Sequence, residues 1–316
     1  MERDPMVRLE SPASLSVVPV VLNPMAGGAG AAAADRIRDA LAAEGLGSSV
    51  QLVAPHEVGA AAWAAARRSG LVAVAGGDGT LSAAAAALAG TDALLLPVPA
   101  GTRNHFSRRL GIATAEAAAT AIARGMVIRV PVAWVAERAF IHHASAGLYP
   151  RIVRDRAGLP GWLGKHAATA VATLWVLLRL RTTTVSIETR GGVQREREVT
   201  GLWVGLGAGS FRLPVDHHVA NGDSLEVVVS PARTRTGLVL EAGRALRRLR
   251  RGESLRHAGL EVLHAPGFTL SAEHPIDVAL DGEVRRVEPP LAFRIQPRAL
   301  RVLSLPREEV PDAERG

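Results

Sequence analysis

The stretch LVAVAGGDGTLSAAAAALA, residues 71–89, joins a short apolar run, a glycine-rich pentapeptide and an alanine-rich run in that order. The apolar residues 71–75 predict a buried strand, and residues 81–89 predict a helix. Glycines between a strand and a helix let backbone N–H groups approach phosphate oxygens closely, and the N-terminus of the helix favours an anion. This stretch therefore predicts a phosphate-binding βα unit.

The pentapeptide Gly76-Gly77-Asp78-Gly79-Thr80 adds two polar side chains to that turn. Thr80 offers a hydroxyl group, and the Asp78 carboxylate is able to hold magnesium directly or through a water molecule. The alternative interpretation is a tight turn that binds no ligand.

Short apolar runs and alanine-rich runs alternate on both sides of this unit through residue 130, which is typical of βα units around a parallel sheet. We therefore predict an α/β, doubly wound nucleotide-binding domain over residues 16–130. Pro19 is unfavourable in the first strand because proline donates no hydrogen bond to a ladder. The predicted strands are 17–22, 50–53, 71–75 and 93–98, and the predicted helices are 30–44, 57–69, 81–89 and 115–124.

The rest of the chain is rich in β-branched residues that alternate with polar ones, which predicts antiparallel strands with helical insertions. A length of 316 residues also favours two domains. We predict a second domain over residues 131–298 and a disordered tail over 307–316. The predicted strands are 127–135, 183–189, 199–206, 224–229, 268–271, 276–280 and 291–295.

Two further glycine loops follow predicted strands of the first domain. The first loop contains Asn23, Pro24, Gly27 and Gly28, and another, at 99–104, contains the sequence Gly-Thr-Arg-Asn. Loops at the carboxyl ends of strands in an open α/β sheet converge on one crevice, where such sheets bind ligands. The chain has neither a Gly-Lys-Ser/Thr string nor a Gly-x-Gly-x-x-Gly that opens the first helix, so a P-loop and a dinucleotide fold are both disfavoured.

Composition limits the chemistry further. The chain has no cysteine, which excludes thiolate nucleophiles, disulfides and cysteine-ligated metals. Its N-terminus mixes acidic and basic residues without an apolar core, so we expect no secretory signal and a cytoplasmic protein. The net charge of +7 suits an anionic partner, although Lys165 is the only lysine among 37 basic residues, a bias that a GC-rich genome would also produce.

Four motifs together resemble the ordered motif set of the bacterial diacylglycerol kinase and sphingosine kinase-like lipid kinases. The resemblance extends from residue 16 to about residue 306. The motifs are Asn23-Pro24 with its glycines, Gly76-Gly77-Asp78-Gly79-Thr80, Gly101-Thr102-Arg103-Asn104 and Asp281-Gly282-Glu283.

This resemblance implies an ATP-dependent lipid kinase that phosphorylates a diacylglycerol-like acceptor and uses Mg²⁺. It also implies that the second domain is a β-sandwich and that residues 299–306 return as a strand to the first domain. Glu283 would be the general base, and Asp78 would bind the metal and act in catalysis. The nucleotide site would comprise Asn23, Pro24, Gly27, Gly28, Gly76, Gly77, Asp78, Gly79, Thr80, Gly101, Thr102 and Asn104.

The chain departs from the family pattern at three positions. His105 stands where many relatives carry an aspartate, Ser82 and alanines stand where relatives have a glutamate, and Asn221-Gly222-Asp223 replaces an Asp-Gly pair. Because of these departures, the sequence does not identify the accessory carboxylates that would help to hold the metal. Two alternatives therefore remain: an NAD kinase-like enzyme, since Gly-Gly-Asp-Gly also marks that class, and a non-catalytic module that binds nucleotide or lipid.

Two predicted helices and two pairs of adjacent histidines are relevant to whether the protein contacts a membrane or binds zinc. Residues 167–178 are too short to span a bilayer, which takes about 20 residues, and predict a buried helix, with docking on a membrane surface as the alternative. Residues 237–251 predict a helix that ends in arginines. We expect a lipid substrate, peripheral contact with the anionic inner membrane face and no nucleic-acid partner. We expect no zinc at His142-His143 or His217-His218, because neighbouring residues on a strand point to opposite faces.

Overall fold

The computed structural model describes residues 7–8, 16–28, 30–160, 164–179, 183–189, 194–207, 222–231, 234–250 and 259–306. The described chain divides into two compact units. The first contains the described residues up to Val132 and from Arg298 onward, and the second contains those from Ala133 to Pro297. The chain passes from one unit to the other within two strands, β6 (Met126–Val135) and β17 (Leu291–Ser304).

The first unit is an α/β layer structure, as the sequence predicts. Its parallel sheet has the order β17-β5-β4-β2-β3. The short β1 pairs with β6. The elements are β1 (Val7–Arg8), β2 (Val17–Leu22), α1 (Gly30–Ala43), β3 (Gly47–Leu52), α2 (Val58–Ser69), β4 (Leu71–Gly76), α3 (Asp78–Leu88), β5 (Leu94–Pro99), α4 (His105–Arg109) and α5 (Ala115–Arg124).

Helices cover both faces of this sheet. The apolar residues of α1 and α5 share one core with alternate residues of β2, β4 and β5, while α2 and α3 pack together on β4. Every residue of β4 is buried as a result, which explains its uninterrupted apolar sequence. Pro19 is accommodated because β2 pairs with β4 only over residues 20–22.

The second unit is built from antiparallel sheets whose inner faces share a single core. One sheet has the order β10-β9-β14-β17, and the other has the order β13-β12-β11-β8-β15-β16. The elements are β7 (Arg138–Phe140), β8 (His143–Gly147), α6 (Leu148–Ala157), α7 (Lys165–Leu178), β9 (Thr183–Thr189), β10 (Gln194–Val199), β11 (Gly201–Leu206), β12 (Leu225–Ser230), α8 (Arg235–Arg250), β13 (Glu261–Ala265), β14 (Gly267–Ser271), β15 (Ile276–Leu280) and β16 (Glu283–Val287).

Two elements differ from their predictions in a way that affects function. Helix α3 begins at Asp78 rather than at residue 81, so the second half of the glycine motif is its first turn. Helix α7 was predicted to be buried, and this is wrong for its C-terminal end, where Leu174, Trp175 and Leu178 are exposed. Its other face is buried through small residues such as Ala168 and Ala172. Among the described residues, no helix is long and apolar enough to cross a membrane.

Candidate active site

Three glycine loops of the first unit lie against one another at the carboxyl edge of the parallel sheet. They follow the adjacent strands β2, β4 and β5. A Cβ atom added to Gly101 would lie 2.4 Å from the Cα atom of Gly77, and one added to Gly27 would lie 2.5 Å from the carbonyl oxygen of Ala100. The Ala100 N–H donates to the Gly76 carbonyl at 3.1 Å. Glycine is therefore needed at Gly27 and Gly101 for the loops to approach so closely.

Asn23 and Thr80 connect the first two loops through their side chains. Both residues are buried, and the Asn23 Nδ2 group donates to the Thr80 Oγ1 atom at 2.9 Å. The Asn23 Oδ1 atom accepts the N–H of Met25 at 3.0 Å, which closes the turn after β2. The pair therefore fixes the first loop next to the first turn of α3.

Asp78 connects the second loop to the third. Its carboxylate is buried, with the residue only 8% exposed, and it accepts the backbone N–H groups of His105 at 3.2 Å and Phe106 at 2.9 Å. These two groups belong to the first turn of α4, where backbone donors lack partners within the helix. Asp78 therefore caps a second helix from a distance of 27 residues in sequence. From the sequence, Asp78 is predicted to bind the nucleotide and its metal and to act in catalysis, but not to cap a helix.

The third loop is closed by Asn104, whose backbone lies in the left-handed region at φ 53°. Its Oδ1 atom accepts the N–H of Gly101 at 2.8 Å, and its Nδ2 group donates to the Gly101 carbonyl at 2.8 Å. Both polar atoms of the amide are thus engaged within the loop. Thr102 and Arg103, at the tip of the loop, are exposed. His105, at which the chain departs from the family pattern, is also exposed.

Helix α3 points its N-terminus at this edge of the sheet. Its first backbone hydrogen bond runs from the Leu81 N–H to the Gly77 carbonyl at 3.0 Å. The N–H groups of Asp78, Gly79 and Thr80 precede that bond and have no partner within the helix, as is general for a first turn. A helix of eleven residues adds a partial positive charge there. The arrangement is chemically suited to phosphate oxygens.

Gly76 and Gly77 are glycine for different reasons. A Cβ atom on Gly76 would lie 2.4 Å from the Thr80 side chain, so packing alone excludes a larger residue. Gly77 has an extended backbone at φ −87°, and a Cβ atom there would meet its nearest neighbour at an ordinary 3.5 Å. The fold itself leaves room for a methyl group at Gly77.

The other residues of the first loop that are predicted to bind the nucleotide are Pro24, Gly27 and Gly28. Pro24 packs against the start of α1, since a Cβ atom on Gly30 would lie 2.9 Å from the Cβ atom of Pro24. Gly27 and Gly28 end a short 3₁₀ turn, in which Gly27 has φ 66°.

Glu283 belongs to the second unit, where it begins β16. Asp281 and Gly282 form the two-residue turn between β15 and β16, both with positive φ, a conformation that an Asp-Gly pair favours in a hairpin. The Glu283 side chain is 61% exposed, and its Oε2 atom accepts from the Arg285 guanidinium at 3.3 Å. The carboxylate is therefore accessible to a substrate hydroxyl.

No individual role is predicted for Asp281 from the sequence, yet its carboxylate positions this turn. It accepts the backbone N–H groups of Ile141, His142 and His143, each at 3.0 Å. The Asp281 N–H in turn donates to the His143 carbonyl at 3.0 Å. Four hydrogen bonds thus join the turn to the start of β8, and the only sequence signal was the aspartate of the motif itself.

A cavity of about 420 Å³ lies on the face of the hairpin that carries Glu283. Residues paired directly across two strands share a face, and Glu283 pairs with Leu280. Leu280 lines the cavity together with residues that are mainly apolar and include two arginines. The lining is Val135, Ala136, Glu137, Arg138, Val278, Leu280, Arg285 and Val287.

Of the two histidine pairs, the structure describes only His142-His143, and this pair is not wholly on a strand as predicted. His142 is in a bend before β8, not on a strand, and its ring contacts the His143 ring edge-to-face with centroids 4.7 Å apart. Within the described ranges, no three or more His, Cys, Asp or Glu residues are grouped in a way that could bind a metal ion. His217, His218 and Asn221 lie outside the described residues.

The sequence of the first unit matches a known family. Residues 17–135 match the family described as the diacylglycerol kinase catalytic domain. The match covers 119 of the 316 residues, and over this segment the chain resembles a diacylglycerol kinase catalytic domain. The matched segment contains all three glycine loops and ends before Glu283.

Similar proteins extend the likeness to most of the chain. A Pseudomonas putida protein named "Probable lipid kinase YegS-like" is 29% identical over 231 residues, which cover 71% of this chain and 74% of that protein. A crystal structure of a diacylglycerol kinase from Bacillus anthracis strain Sterne has a TM-score of 0.68 at 23% identity, covering 93% of this chain and 98% of that one. A second structure from that strain has a TM-score of 0.70 at 22% identity, with 93% and 97% covered.

These findings confirm the family and the two-part fold class predicted from the motifs. The structural neighbours support the fold alone, because their sequence identity is low. The roles of the individual site residues stay predictions.

Proposed function

We propose that the chain is an ATP-dependent lipid kinase that transfers the γ-phosphate of ATP to the hydroxyl group of a diacylglycerol-like acceptor. The observation that carries this proposal is the contact of the three glycine loops at the N-terminus of α3, within a matched diacylglycerol kinase catalytic domain. Phosphoryl transfer depends mainly on positioning and on stabilisation of charge. The backbone N–H groups of Asp78, Gly79 and Thr80 are placed to supply both for ATP phosphates.

Glu283 is the proposed general base. In the transfer, the acceptor oxygen forms a bond to the γ-phosphorus atom, the bond from that phosphorus to the bridging oxygen of ADP breaks, and the Glu283 carboxylate takes the hydroxyl proton. An exposed glutamate is accessible for this role. The cavity on the same face of the hairpin is lined mainly by apolar residues, and it is the proposed binding place for the hydrophobic part of the acceptor.

Asp78 is the carboxylate through which we propose that magnesium is held. Magnesium usually takes one or two protein carboxylates together with substrate phosphates and water, so a single aspartate beside a phosphate site fits the ion. When bound, magnesium would neutralise charge on the phosphates. Both Asp78 oxygens already accept backbone N–H groups, which leaves their remaining lone pairs for the metal or a metal-bound water.

The proposal is tested by following radiolabelled γ-phosphate from ATP in three parallel reactions. One contains diacylglycerol in mixed micelles, another contains NAD, and the last contains no acceptor. A labelled, extractable phospholipid in the first reaction alone supports the proposal. Labelled NADP would favour the NAD kinase alternative. ATP binding without transfer in any reaction would favour the non-catalytic module.

A cytoplasmic protein with peripheral contact at the inner membrane face stays a prediction. The membrane contact follows from the lipid acceptor, since such acceptors reside in a bilayer.

A further inference from the structure

Five large apolar side chains of the second unit are exposed on two helices. They are Leu174, Trp175 and Leu178 on α7 and Val239 and Leu240 on α8, each between 45% and 57% exposed. We call this set the α7–α8 patch. Single exposed apolar residues are normal on a protein surface, but grouped ones mark an interaction site.

The two halves of the patch are connected. The Arg235 guanidinium, in the first turn of α8, donates to the carbonyl oxygen of Leu178 at the end of α7. Val239 lies one turn after Arg235 on α8, at i+4. Trp175 and Leu178 are three residues apart and share a face of α7. The exposed end of α7 therefore adjoins the exposed start of α8.

The charges around the patch are positive. Arg179 follows Leu178 directly, and Arg235 bridges the helices; both are exposed. Farther along α8, the exposed Arg244 and Arg247 lie at i+4 and i+7 from Leu240, on the same face.

Acidic side chains are scarce on both helices. The sequence of α7 contains none, and that of α8 contains only Glu241. Glu241 is half-buried, and its Oε2 atom accepts from the Ser230 hydroxyl at 2.6 Å. The combination of exposed leucine, valine and tryptophan with a positive border complements an anionic surface that has an apolar interior.

We propose that the α7–α8 patch is the surface through which this protein docks on an anionic lipid bilayer. A tryptophan at the edge of an apolar face is suited to the headgroup region, where its ring contacts both apolar and polar groups. Leucine and valine enter the acyl boundary, while the arginines contact anionic headgroups. The proposal does not depend on phosphotransfer activity, because docking is measurable without ATP.

Co-sedimentation of the full chain with phosphatidylcholine vesicles, with and without phosphatidylglycerol, tests this inference. We expect binding to the anionic vesicles that weakens at high salt. Arg244→Gln/Arg247→Gln should lower the partition coefficient at low salt by about 25-fold, at about fivefold for each basic residue near the surface. Trp175→Ala/Leu178→Ala should lower it by about tenfold or more at any salt.

A matched control is available in the first unit. Trp63 is also partly exposed and also has an arginine beside it, with the Arg67 guanidinium 5.7 Å from the ring centroid. Trp63→Ala should leave vesicle binding unchanged. Because the patch side chains are exposed, their variants should keep the wild-type melting temperature.

A second measurement reports whether Trp175 reaches the acyl chains of the bilayer, and it needs no destabilising variant. Phosphatidylglycerol vesicles brominated in the acyl chain should quench wild-type tryptophan fluorescence, and Trp175→Phe should remove this quenching while Trp63→Phe should not. Equal binding to neutral and anionic vesicles, or quenching that survives Trp175→Phe, would overturn the proposal. Concentration-dependent self-association that Leu178→Ser abolishes, without vesicle binding, would instead make the patch an interface between copies of the chain.

Discussion

Asp78 in the first unit and Asp281 in the second perform the same structural task at two different sites. Each accepts backbone N–H groups from a distant segment, two for Asp78 and three for Asp281. At the first site, the anchoring aspartate is also the proposed metal ligand. At the second, the anchor Asp281 and the proposed base Glu283 are separate residues. The comparison shows that an acidic residue in a catalytic motif can serve the fold, the chemistry or both.

The largest effect is expected where the anchor and the catalytic group are separate. Glu283→Gln should lower the transfer rate by about 10² to 10⁴, the usual contribution of a positioned base. ATP affinity and melting temperature should stay at wild-type values, since the side chain is exposed. Single-turnover transfer to diacylglycerol and calorimetric ATP binding measure the two quantities. Glu288→Gln, at an exposed glutamate of the same unit, is the control, and an unchanged transfer rate in Glu283→Gln would remove Glu283 from catalysis.

Asp281→Ala should act on stability. Three backbone N–H groups would lose a charged acceptor, and the free energy of unfolding should fall by about 3 kcal/mol. Asp281→Asn should cost less, because one amide oxygen is still able to accept from His142 and His143, which share the Oδ1 atom. Urea denaturation of both variants measures the difference. Equal stability of wild type and Asp281→Ala would contradict the anchoring role.

Asp78→Asn separates the two roles that meet at Asp78. The amide retains one of the two acceptors, so stability should fall by about 1 to 2 kcal/mol. If Asp78 also holds the metal, ATP affinity should fall with magnesium present and change little in EDTA. An equal loss of affinity under both conditions would assign Asp78 to loop positioning alone. Ser82→Ala, one turn later on α3, is the control for general damage to the helix.

Two neighbouring glycines test whether the first site is built for a ligand. Gly77→Ala should fold like wild type, since its Cβ atom would have ordinary contacts, yet lower ATP affinity about tenfold by blocking a phosphate. Gly101→Ala should destabilise the fold by about 1 to 3 kcal/mol, because its Cβ atom would overlap the Gly77 backbone. Melting temperatures and ATP affinities of the two variants, measured by thermal denaturation and ATP titration, distinguish the two effects. Unchanged ATP affinity in a folded Gly77→Ala protein would contradict the phosphate assignment.

A third carboxylate gives the smallest expected effect. Burial raises the pKa of Glu241 above its ordinary value of 4.5, against the opposing effect of the hydrogen bond from Ser230. The folded state therefore binds the proton more tightly than the unfolded state, and stability should fall slightly as pH rises from 4.5 through the folded pKa. Glu241→Gln should remove this decline. Melting temperatures of both proteins across this range measure it, and parallel pH profiles would contradict it.

The glycine loops and the sheet were predictable because their signals are local. The β4 segment is apolar throughout since both of its faces are buried, and glycine at Gly27 and Gly101 follows from close backbone contact. The carboxyl ends of adjacent parallel strands lie at one edge, so their order alone brought the loops together. Helix α7 shows the limit of such patterns, because a run of apolar residues does not reveal that Trp175 and Leu178 are exposed while Val176 between them is buried.

The amino-acid sequence alone was thus enough to predict the resemblance to diacylglycerol kinases, the α/β and antiparallel halves and the residues that form the loops. These depend on hydrophobic period, turn chemistry and motifs, which act over a few residues. The three-dimensional structure was needed to show that Asp78 caps α4, that Asp281 anchors its turn to β8 and that the α7–α8 patch is exposed. Each of these joins segments 27 to 140 residues apart or depends on what packs beside a helix, and no local pattern encodes such a contact.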